Sequence, residues 1–450
     1  MKKITTIFIA IAVSLFWTGC ELTDVVDQNP PNNLVPENVA TNAGDAEALL
    51  NGVYSTIISF VSDSYYADYE LIPGGLSGSM SDIGFGSANL EIEQNDVQQD
   101  NSTVSDFWQI FYQVINGANV TIDRVSEMPE SEFAQNRKSE ILGEAHFLRA
   151  MATFDALRYF GQYYDLSSNL GVIIRTEPVN YVTRNKERSS VQATYDQILS
   201  DLDFAIANAP DFSVTYRASK TSAKALKARV LLFMGRYEEA ASLADEVINS
   251  GTRFLESEFS EVFSRGLESD EMIFMTHRHS DSDTEDNNRK RFYRAEPGTT
   301  WLPDLMAEDP RQPFTYLDGE VIKTNNEETF RPTYFIRLAE MYLIKAEALA
   351  RSGAPLEEVL EPLNVIRERA GIGPSEATTL EEAMEDIFAE WVRELVFENG
   401  SEWFAAIRFE KIMELKPQVT STDEFILPIP LDELDANALL DLSDQNPGYL

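Results

Sequence analysis

The sequence predicts a mainly all-α fold, because three features recur along most of the 450-residue chain. Apolar residues repeat at intervals of three and four, which is the period of one face of an α-helix. Capping residues precede several of these runs, and Gly or Pro follows them. Two stretches rich in Gly, Pro, Ser, Asp and Asn interrupt the pattern and are typical of long loops. We therefore predict a helical body with long inserted loops that carry a minor amount of strand.

The first predicted helices are two amphipathic runs. Residues 138–160 carry apolar side chains at Ile141, Ala145, Leu148 and Ala152. The second run has Ser190 as its cap and carries Tyr195, Ile198, Leu199, Leu202 and Ile206 before Pro210. Each run places its apolar residues on one face, so each helix should bury that face against a neighbour.

Two pairs of predicted helices resemble tetratricopeptide units, in which helix hairpins stack to bury a continuous core. The first pair covers residues 221–250, with Gly235 in its turn. The second covers residues 335–370, with Gly353 in its turn. A further helix over 380–397 keeps its apolar residues on one face. We expect the two pairs to pack as tetratricopeptide-like units within a predominantly helical body.

The two loop-like stretches are residues 62–102 and residues 265–332. Binding residues often lie on long loops that a rigid scaffold positions. Both stretches also contain aromatic residues that no helical pattern explains. They are Tyr65, Tyr66, Tyr69 and Phe85 in the first, and Phe292, Tyr293, Trp301, Phe314 and Tyr316 in the second. Trp108 and Trp403 fall within helical apolar patterns, and we assign both to the core.

The composition is that of a globular chain, with 43% hydrophobic and 25% charged residues. The charge is strongly acidic, because 36 Lys and Arg face 75 Asp and Glu, for a formal net charge of -39. Such a field repels phosphate, which argues against nucleic acid as a partner. The same repulsion favours a neutral ligand over a polyanionic one.

The N-terminus has the pattern of an export signal. Lys2 and Lys3 precede an apolar run over residues 4–17, which is short for a membrane span. Small residues then lead to Cys20, the only cysteine, so an intrachain disulfide is excluded. Cys20 stands where a lipoprotein cysteine is acylated, although Trp17 replaces the usual Leu three positions before it. An ordinary secretory signal with a chance cysteine is the alternative.

The chain is therefore predicted to have three parts. Residues 1–19 are a lipoprotein signal peptide, and residues 20–37 are a polar tether that begins at the lipid attachment site. Residues 38–450 form a single folded domain. Its N-terminal part covers about 38–265 and its C-terminal part about 266–450.

Five segments, in order along the chain, resemble the SusD/RagB family. They are residues 143–150 (GEAHFLRA), 337–348 (RLAEMYLIKAEA), 364–371 (NVIRERAG), 393–398 (RELVFE), and 425–430 (FILPIP) together with 445–449 (QNPGY). The sequence departs from the family after Glu398. Asn399 is an insertion, while Glu402 and Ala405 stand where the family usually has Arg and Asp.

The resemblance implies a SusD-like fold and a lipoprotein anchored in the outer membrane and exposed at the cell surface. Proteins of this type bind an oligosaccharide or polysaccharide and deliver it to a partner SusC-like TonB-dependent transporter. The resemblance implies neither an enzyme nor a cofactor. Some relatives import peptides, so a peptide-binding lipoprotein of the same uptake system is an alternative.

The residues themselves support glycan binding. A sugar ring has an apolar face that can stack on an exposed aromatic ring, while polar side chains bond its hydroxyl groups. We select four aromatic platforms and three polar partners from the loops. The platforms are Trp301, Tyr293, Tyr66 and Tyr65, and the polar partners are Asp82, Asn89 and Arg294. Each aromatic residue has the alternative interpretation of a local loop anchor.

A surface glycoside hydrolase is the contrasting hypothesis. With 75 acidic residues, carboxylate pairs in the sequence carry no information about catalysis. The chain contains no phosphate loop, dinucleotide fingerprint, HExxH motif or nucleophile elbow. His146 lies in a helical pattern and is interpreted as a packing residue. His277 and His279 are too few for a metal site without a third ligand, so no metal or catalytic residue is assigned.

Overall fold

The computed structural model describes residues 40–58, 64–84, 86–277, 295–298, 301–323, 325 and 331–449, with only the backbone of Ser64 and Tyr66. These residues are predominantly helical, which confirms the predicted fold class. The predicted signal peptide, Cys20 and the whole of the predicted tether lie outside them.

Seventeen α-helices occur in the described part of the chain. They are α1 Ala43–Ile57, α2 Tyr69–Ser77, α3 Ser87–Gln94, α4 Ser102–Glu127, α5 Arg137–Phe160, α6 Val191–Asn208, α7 Lys220–Phe233, α8 Tyr237–Ile248, α9 Phe259–Arg265, α10 Leu302–Leu305, α11 Gln312–Thr315, α12 Leu338–Arg351, α13 Leu356–Arg369, α14 Leu380–Leu395, α15 Ser401–Arg408, α16 Ile412–Leu415 and α17 Leu431–Ala436. A π-helical turn at Ser64–Asp68 precedes α2, and short 3-10 turns lie between several of the other helices.

The long helices pack side by side in a continuous stack. Helix α4 packs between α1 and α5, α6 packs between α5 and α7, and α8 packs between α7 and α12. Both predicted hairpins, α7 with α8 and α12 with α13, are therefore present, and they pack against each other through α8 and α12. Buried small residues at this contact, including Ala228, Ala240 and Ala244, allow close approach of the helices.

Local signals in the sequence explain where these helices begin and end. The Ser190 side chain accepts a hydrogen bond from the Ala193 amide, which caps α6. Thr379 and Glu382 form a capping box at the start of α14. Gly235 has φ +70°, so the turn of the first hairpin uses a left-handed conformation that disfavours other residues.

The prediction of loop structure over residues 62–102 was wrong at two places, because α2 and α3 lie there. Helix α2 contains Pro73, Gly74 and Gly75, residues that disfavour helix in isolation. Tertiary packing outweighs that preference, since every residue of α2 is buried. An added Cβ would lie 2.8 Å from Met80 at Gly74 and 2.8 Å from Ile83 at Gly75, so the two glycines permit this packing.

The core contains both tryptophans assigned to it, since Trp108 and Trp403 are 3% and 1% exposed. Asn399, which the resemblance marks as an insertion, is also buried. Its side-chain oxygen accepts hydrogen bonds from Tyr69 and from Arg158, each at 2.6 Å. Asn399 thus joins the chain after α14 to helices α2 and α5.

Three two-stranded antiparallel sheets account for the strands of the described residues. They pair β1 Met80–Ser81 with β3 Glu296–Pro297, β2 Met272–Met275 with β6 Tyr334–Arg337, and β4 Tyr316–Leu317 with β5 Glu320–Val321. Strands β2 and β6 pair near the two ends of the second inserted stretch and so bring those ends together. The strands therefore lie in or beside the predicted loops.

Candidate ligand-binding site

Strands β1 and β3 join the two inserted stretches, and their paired residues lie more than 200 positions apart in the sequence. Met80 pairs with Pro297 and Ser81 with Glu296. The Gly298 amide donates to the Ser79 carbonyl at 2.9 Å, which extends the contact by one residue. The surface around this sheet combines residues of both stretches, and we define it as the β1–β3 surface.

Trp301 lies on this surface and connects its two halves. The indole Nε1 donates to the carbonyl of Ser77 at 2.9 Å, and the ring is half-buried against the core. The N–H group of the ring is therefore already hydrogen-bonded within the protein, while part of the residue remains accessible to solvent. This geometry fits both a sugar platform and a loop anchor, so the role of Trp301 stays a prediction.

Tyr65 must be removed from the predicted platforms. It is 1% exposed, and its hydroxyl donates to Asp155 at 3.0 Å. The ring packs edge-on against Phe111 and Phe335, at centroid distances of 5.0 and 5.9 Å. Burial raises the pKa of Tyr65 well above its usual value. A ring enclosed in this way has no face to present to a ligand.

The other predicted site residues have different outcomes. Asp82 is exposed just after β1, with φ +50°, and Asn89 is half-buried in α3. The Asn89 side chain packs against Gly84, where an added Cβ would lie 2.3 Å from its nitrogen. The structure thus places Asp82 directly after β1 and Asn89 within the following helix, α3. Tyr293, Arg294 and the Tyr66 side chain lie outside the described residues.

The β4–β5 hairpin and the residues beside it add apolar side chains that were not selected from the sequence. Phe314 and Leu317 are 47% and 45% exposed, and Ile322 is also exposed. The hairpin lies beside β3, because the Tyr316 ring would be 2.9 Å from a Cβ on Gly298. The sequence did indicate these residues in part, because the second stretch contains aromatic side chains that no helical pattern explains. Only the fold shows which of them remain exposed.

A buried ionic cluster fastens the segment 301–323 to the scaffold. Arg311 donates to Asp309, to Glu390 and to Glu394, at 2.8 to 3.2 Å. Arg337 donates to Glu271, to Glu394 and to Glu398 at 2.6 to 3.1 Å. All of these side chains are nearly inaccessible to solvent. Such groups are tolerated only when each charge is paired and hydrogen-bonded.

Lys323 closes the same segment at its C-terminal end. Its Nζ donates to the carbonyls of Glu394 and Val396 and pairs with Glu398, at 2.6 to 2.9 Å. Burial lowers the pKa of Lys323 to about 8, although the Glu398 carboxylate opposes that shift. Burial alone would raise the pKa of Glu394. The positive charges of Arg369, Arg337 and Arg311 outweigh that effect and keep the pKa of Glu394 well below its usual range.

Glu402 lies directly beneath the β1–β3 surface. Its carboxylate accepts long hydrogen bonds, 3.3 Å from the Ser79 hydroxyl and 3.4 Å from the Phe397 amide. The side chain is fully buried and forms no ion pair within the described residues. Burial raises the pKa of Glu402 to about 7. Glu402, which stands where the resemblance led us to expect Arg, therefore places a titratable group under the candidate site.

The histidines have no common site in the described residues. His146 packs as predicted, with its Nδ1 2.7 Å from Asp201 and its ring stacked 4.1 Å from Phe204. The His277 ring lies 4.5 Å from Tyr216, and His279 is outside the described residues. Within the described ranges, no three His, Cys, Asp or Glu residues are arranged to hold a metal ion. None of the helices in those ranges is both long and apolar enough to span a bilayer.

Two family models match separate parts of the chain. The model described as "Starch-binding associating with outer membrane" matches residues 26–232, and the SusD family model matches residues 310–418. The chain belongs to the SusD/RagB family. The segments that suggested this resemblance fall within or beside the matched ranges.

Curated relatives support the same family over the full length. SusD-like protein P2 of Formosa agariphila is 26% identical over 528 aligned residues, covering 100% of both chains. SusD-like protein P38 of the same organism is 25% identical and covers 80% of this chain and 82% of its own. The likeness therefore includes both inserted stretches and not only the helical stack.

Solved SusD-family structures share the fold. A SusD superfamily protein of Bacteroides thetaiotaomicron has a TM-score of 0.75 at 24% identity, covering 90% of this chain and 100% of that one. A laminarin-binding SusD-like protein has a TM-score of 0.74 at 23% identity, covering 91% and 100%. At this identity the comparison establishes the SusD-like fold and leaves the ligand to be determined.

Proposed function

We propose that this protein is a cell-surface lipoprotein that binds a neutral oligosaccharide or polysaccharide at its β1–β3 surface. In this proposal it delivers the glycan to a partner SusC-like TonB-dependent transporter. Family membership and the laminarin-binding relative support a carbohydrate ligand. The acidic chain favours a neutral glycan, since its net charge of -39 repels anions.

The location proposed for the site rests on one observation, the pairing of β1 with β3. The β1–β3 pairing joins both inserted stretches, and the half-buried Trp301 lies across that junction. Asp82 is exposed beside it, and Phe314 and Leu317 add apolar surface from the same insertion. Accessible ring surface next to polar side chains is the combination that sugar recognition requires.

Calorimetric titration tests the ligand class. The protein without residues 1–19 would be titrated with neutral glucans, xylans and mannans, with a polyuronate and with a mixture of short peptides. The proposal expects binding of at least one neutral glycan and no binding of the polyuronate. Binding of peptides alone would favour the peptide-binding alternative and contradict the proposed ligand.

The membrane anchor has a separate test at Cys20. If this cysteine is acylated, Cys20→Ala should move the protein from the membrane fraction to the soluble fraction of fractionated cells. Protease treatment of intact cells should also degrade the unmodified protein if it is displayed outside. Equal membrane retention of the Cys20→Ala variant would contradict lipid attachment at this residue.

The transporter partner is testable in the native membrane. Mild detergent extraction followed by affinity purification of the tagged protein should recover a β-barrel transporter in a defined ratio. Recovery of the tagged protein without any outer-membrane transporter would contradict delivery to such a partner.

A further inference from the structure

A concave site lies on the helical scaffold, away from the residues of the β1–β3 surface. It is a cleft of about 610 Å³ between α7, α8, the end of α12 and α15, closed by residues 163–164 and 422–425. Its principal lining residues are Tyr164, Phe233, Tyr237, Phe425, Arg351 and Arg408. This volume lies in the range of small-molecule sites. The proposed function makes no use of the cleft.

Aromatic side chains form a fixed wall of this scaffold cleft. The Tyr164 ring, which is 37% exposed, packs edge-on against Phe425 at a centroid distance of 5.7 Å. Its hydroxyl donates to the Thr422 carbonyl at 2.9 Å, which holds the ring in place. An accessible ring held in this way is preorganised for contact with the apolar face of a ligand.

Two arginines share one carboxylate beside the aromatic wall. Glu347 is fully buried and accepts from Arg351 at 2.9 Å and from Arg408 at 3.0 and 3.1 Å. Arg351 also donates to the Arg408 carbonyl at 2.8 Å. Each guanidinium is thus held in position, and Nη1 of each has no hydrogen bond to a described residue. Oriented N–H donors of this kind suit ligand hydroxyl groups.

Tyr163 gives an independent sign that the scaffold cleft is incomplete without a ligand. This lining residue is 2% exposed, and its hydroxyl has no hydrogen-bond partner among the described residues. Buried polar groups are almost always hydrogen-bonded, so an unsatisfied one calls for a missing partner. A ligand or a water that it retains would supply that partner.

The charges around the scaffold cleft select the ligand class. Arg351 and Arg408 are balanced by Glu347 and by the exposed Glu410 at the rim, so the lining is close to neutral overall. Aromatic surface, oriented donors and zero net charge together fit a neutral, polyhydroxylated ligand with an apolar face. We infer that the scaffold cleft is a second carbohydrate-binding site, for one or two sugar units of a neutral glycan.

This inference takes its ligand class from the proposed function but names a different site. It is tested by calorimetry with neutral hexasaccharides of β-1,3-glucose, α-1,4-glucose, β-1,4-xylose and β-1,4-mannose. Met413→Trp would fill the scaffold cleft from a side chain that is already 40% exposed, and Tyr164→Ala would remove the aromatic wall. Tyr181→Ala is the control, since Tyr181 is 82% exposed and does not line the cleft.

We expect at least one hexasaccharide to bind at two sites. Tyr164→Ala should weaken one of them about tenfold or more, because it removes a stacking platform. Met413→Trp should weaken the same site by at least as much, because its larger side chain occupies the space of the ligand. Trp301→Ala should weaken only the other, and Tyr181→Ala neither. Melting temperatures identify variants that fail to fold, and Met413→Trp should keep that of the unmodified protein.

The possible results separate the scaffold cleft from the proposed function. Loss of all binding in Trp301→Ala, with no change in Met413→Trp and Tyr164→Ala, would overturn the second site and leave the proposed function standing. Binding that only the cleft variants weaken would support the scaffold cleft and contradict the β1–β3 surface as the site. Absence of binding by every hexasaccharide at millimolar concentration would overturn the second site.

Discussion

The helical stack and the segment 301–323 differ in the contacts that hold them. In the stack, neighbouring helices bury apolar and small residues, and most of those contacts join helices that are adjacent in the sequence. The segment 301–323 also buries Leu302, Met306 and Val321 in the core, but buried ion pairs to helix α14 hold it in addition. One of these pairs joins Arg311 to Glu394, 83 residues away. Apolar packing adapts to small changes, whereas a buried charge that loses its partner is costly. The position of the segment should therefore depend on a few charged side chains.

The largest expected effect comes from breaking that attachment at Arg311. Arg311→Met should lower the free energy of unfolding by about 3 to 5 kcal/mol, because it leaves buried carboxylates without their partner. Unfolding in urea, followed by circular dichroism, measures the loss. The control is Arg236→Ala, whose ion pair with Glu239 is exposed and should contribute less than about 1 kcal/mol. Equal effects of the two substitutions would remove the difference between the two regions.

The second effect concerns Glu402, beneath the β1–β3 surface. Because its folded pKa of about 7 lies above its usual value of 4.5, its contribution to stability is present below pH 4.5 and is lost as the pH rises through 7. Relative to the unmodified protein, Glu402→Gln should therefore gain stability between pH 4.5 and pH 8, by up to about 3 kcal/mol. Urea unfolding at both pH values measures the gain. A stability difference that stays constant with pH would show that Glu402 does not titrate in this range.

The third effect tests the close packing of the helical stack. Ala240 lies fully buried on α8, where that helix meets its neighbours. Ala240→Trp should overpack this contact and destabilise the protein by about 1 to 3 kcal/mol in the same urea assay. Ser242→Trp places the same side chain on the exposed side of α8 and should change stability by less than about 0.5 kcal/mol. If both substitutions were neutral, the helices would not be in close contact there.

These differences also explain how far the sequence predicts the structure. Periodicity and caps locate α5, α6 and both hairpins because the signals that form them lie within each element. Helix α2 was not predicted, because its Pro and Gly residues have low helix propensity and the helix is stabilised by burial in the core. Tyr65 was assigned to the site because sequence alone does not show that its ring packs on Phe111 and Phe335. Pairing of β1 with β3 joins residues too far apart for any local pattern to indicate.

The candidate site is thus the part of the molecule that sequence predicts least. The sequence indicates which residue types the site contains, because both stretches are rich in aromatic and polar residues. Which of them share a surface depends on the β1–β3 pairing and on the buried ionic cluster, and both are long-range contacts. Asp82, Asn89 and Trp301 remain as predicted site residues within the described chain, and Phe314 and Leu317 join them on exposure.

The central claim, that the β1–β3 surface binds a neutral glycan through Trp301, is tested most directly with one variant. Trp301→Ala should weaken binding of that glycan by roughly 1 to 3 kcal/mol, because no neighbouring group replaces the ring. Glycan affinity and melting temperature should be measured on the same sample. The account predicts weaker binding with an almost unchanged melting temperature. A lowered melting temperature with unchanged affinity in the folded fraction would show that Trp301 is only an anchor of its loop and would contradict the claim.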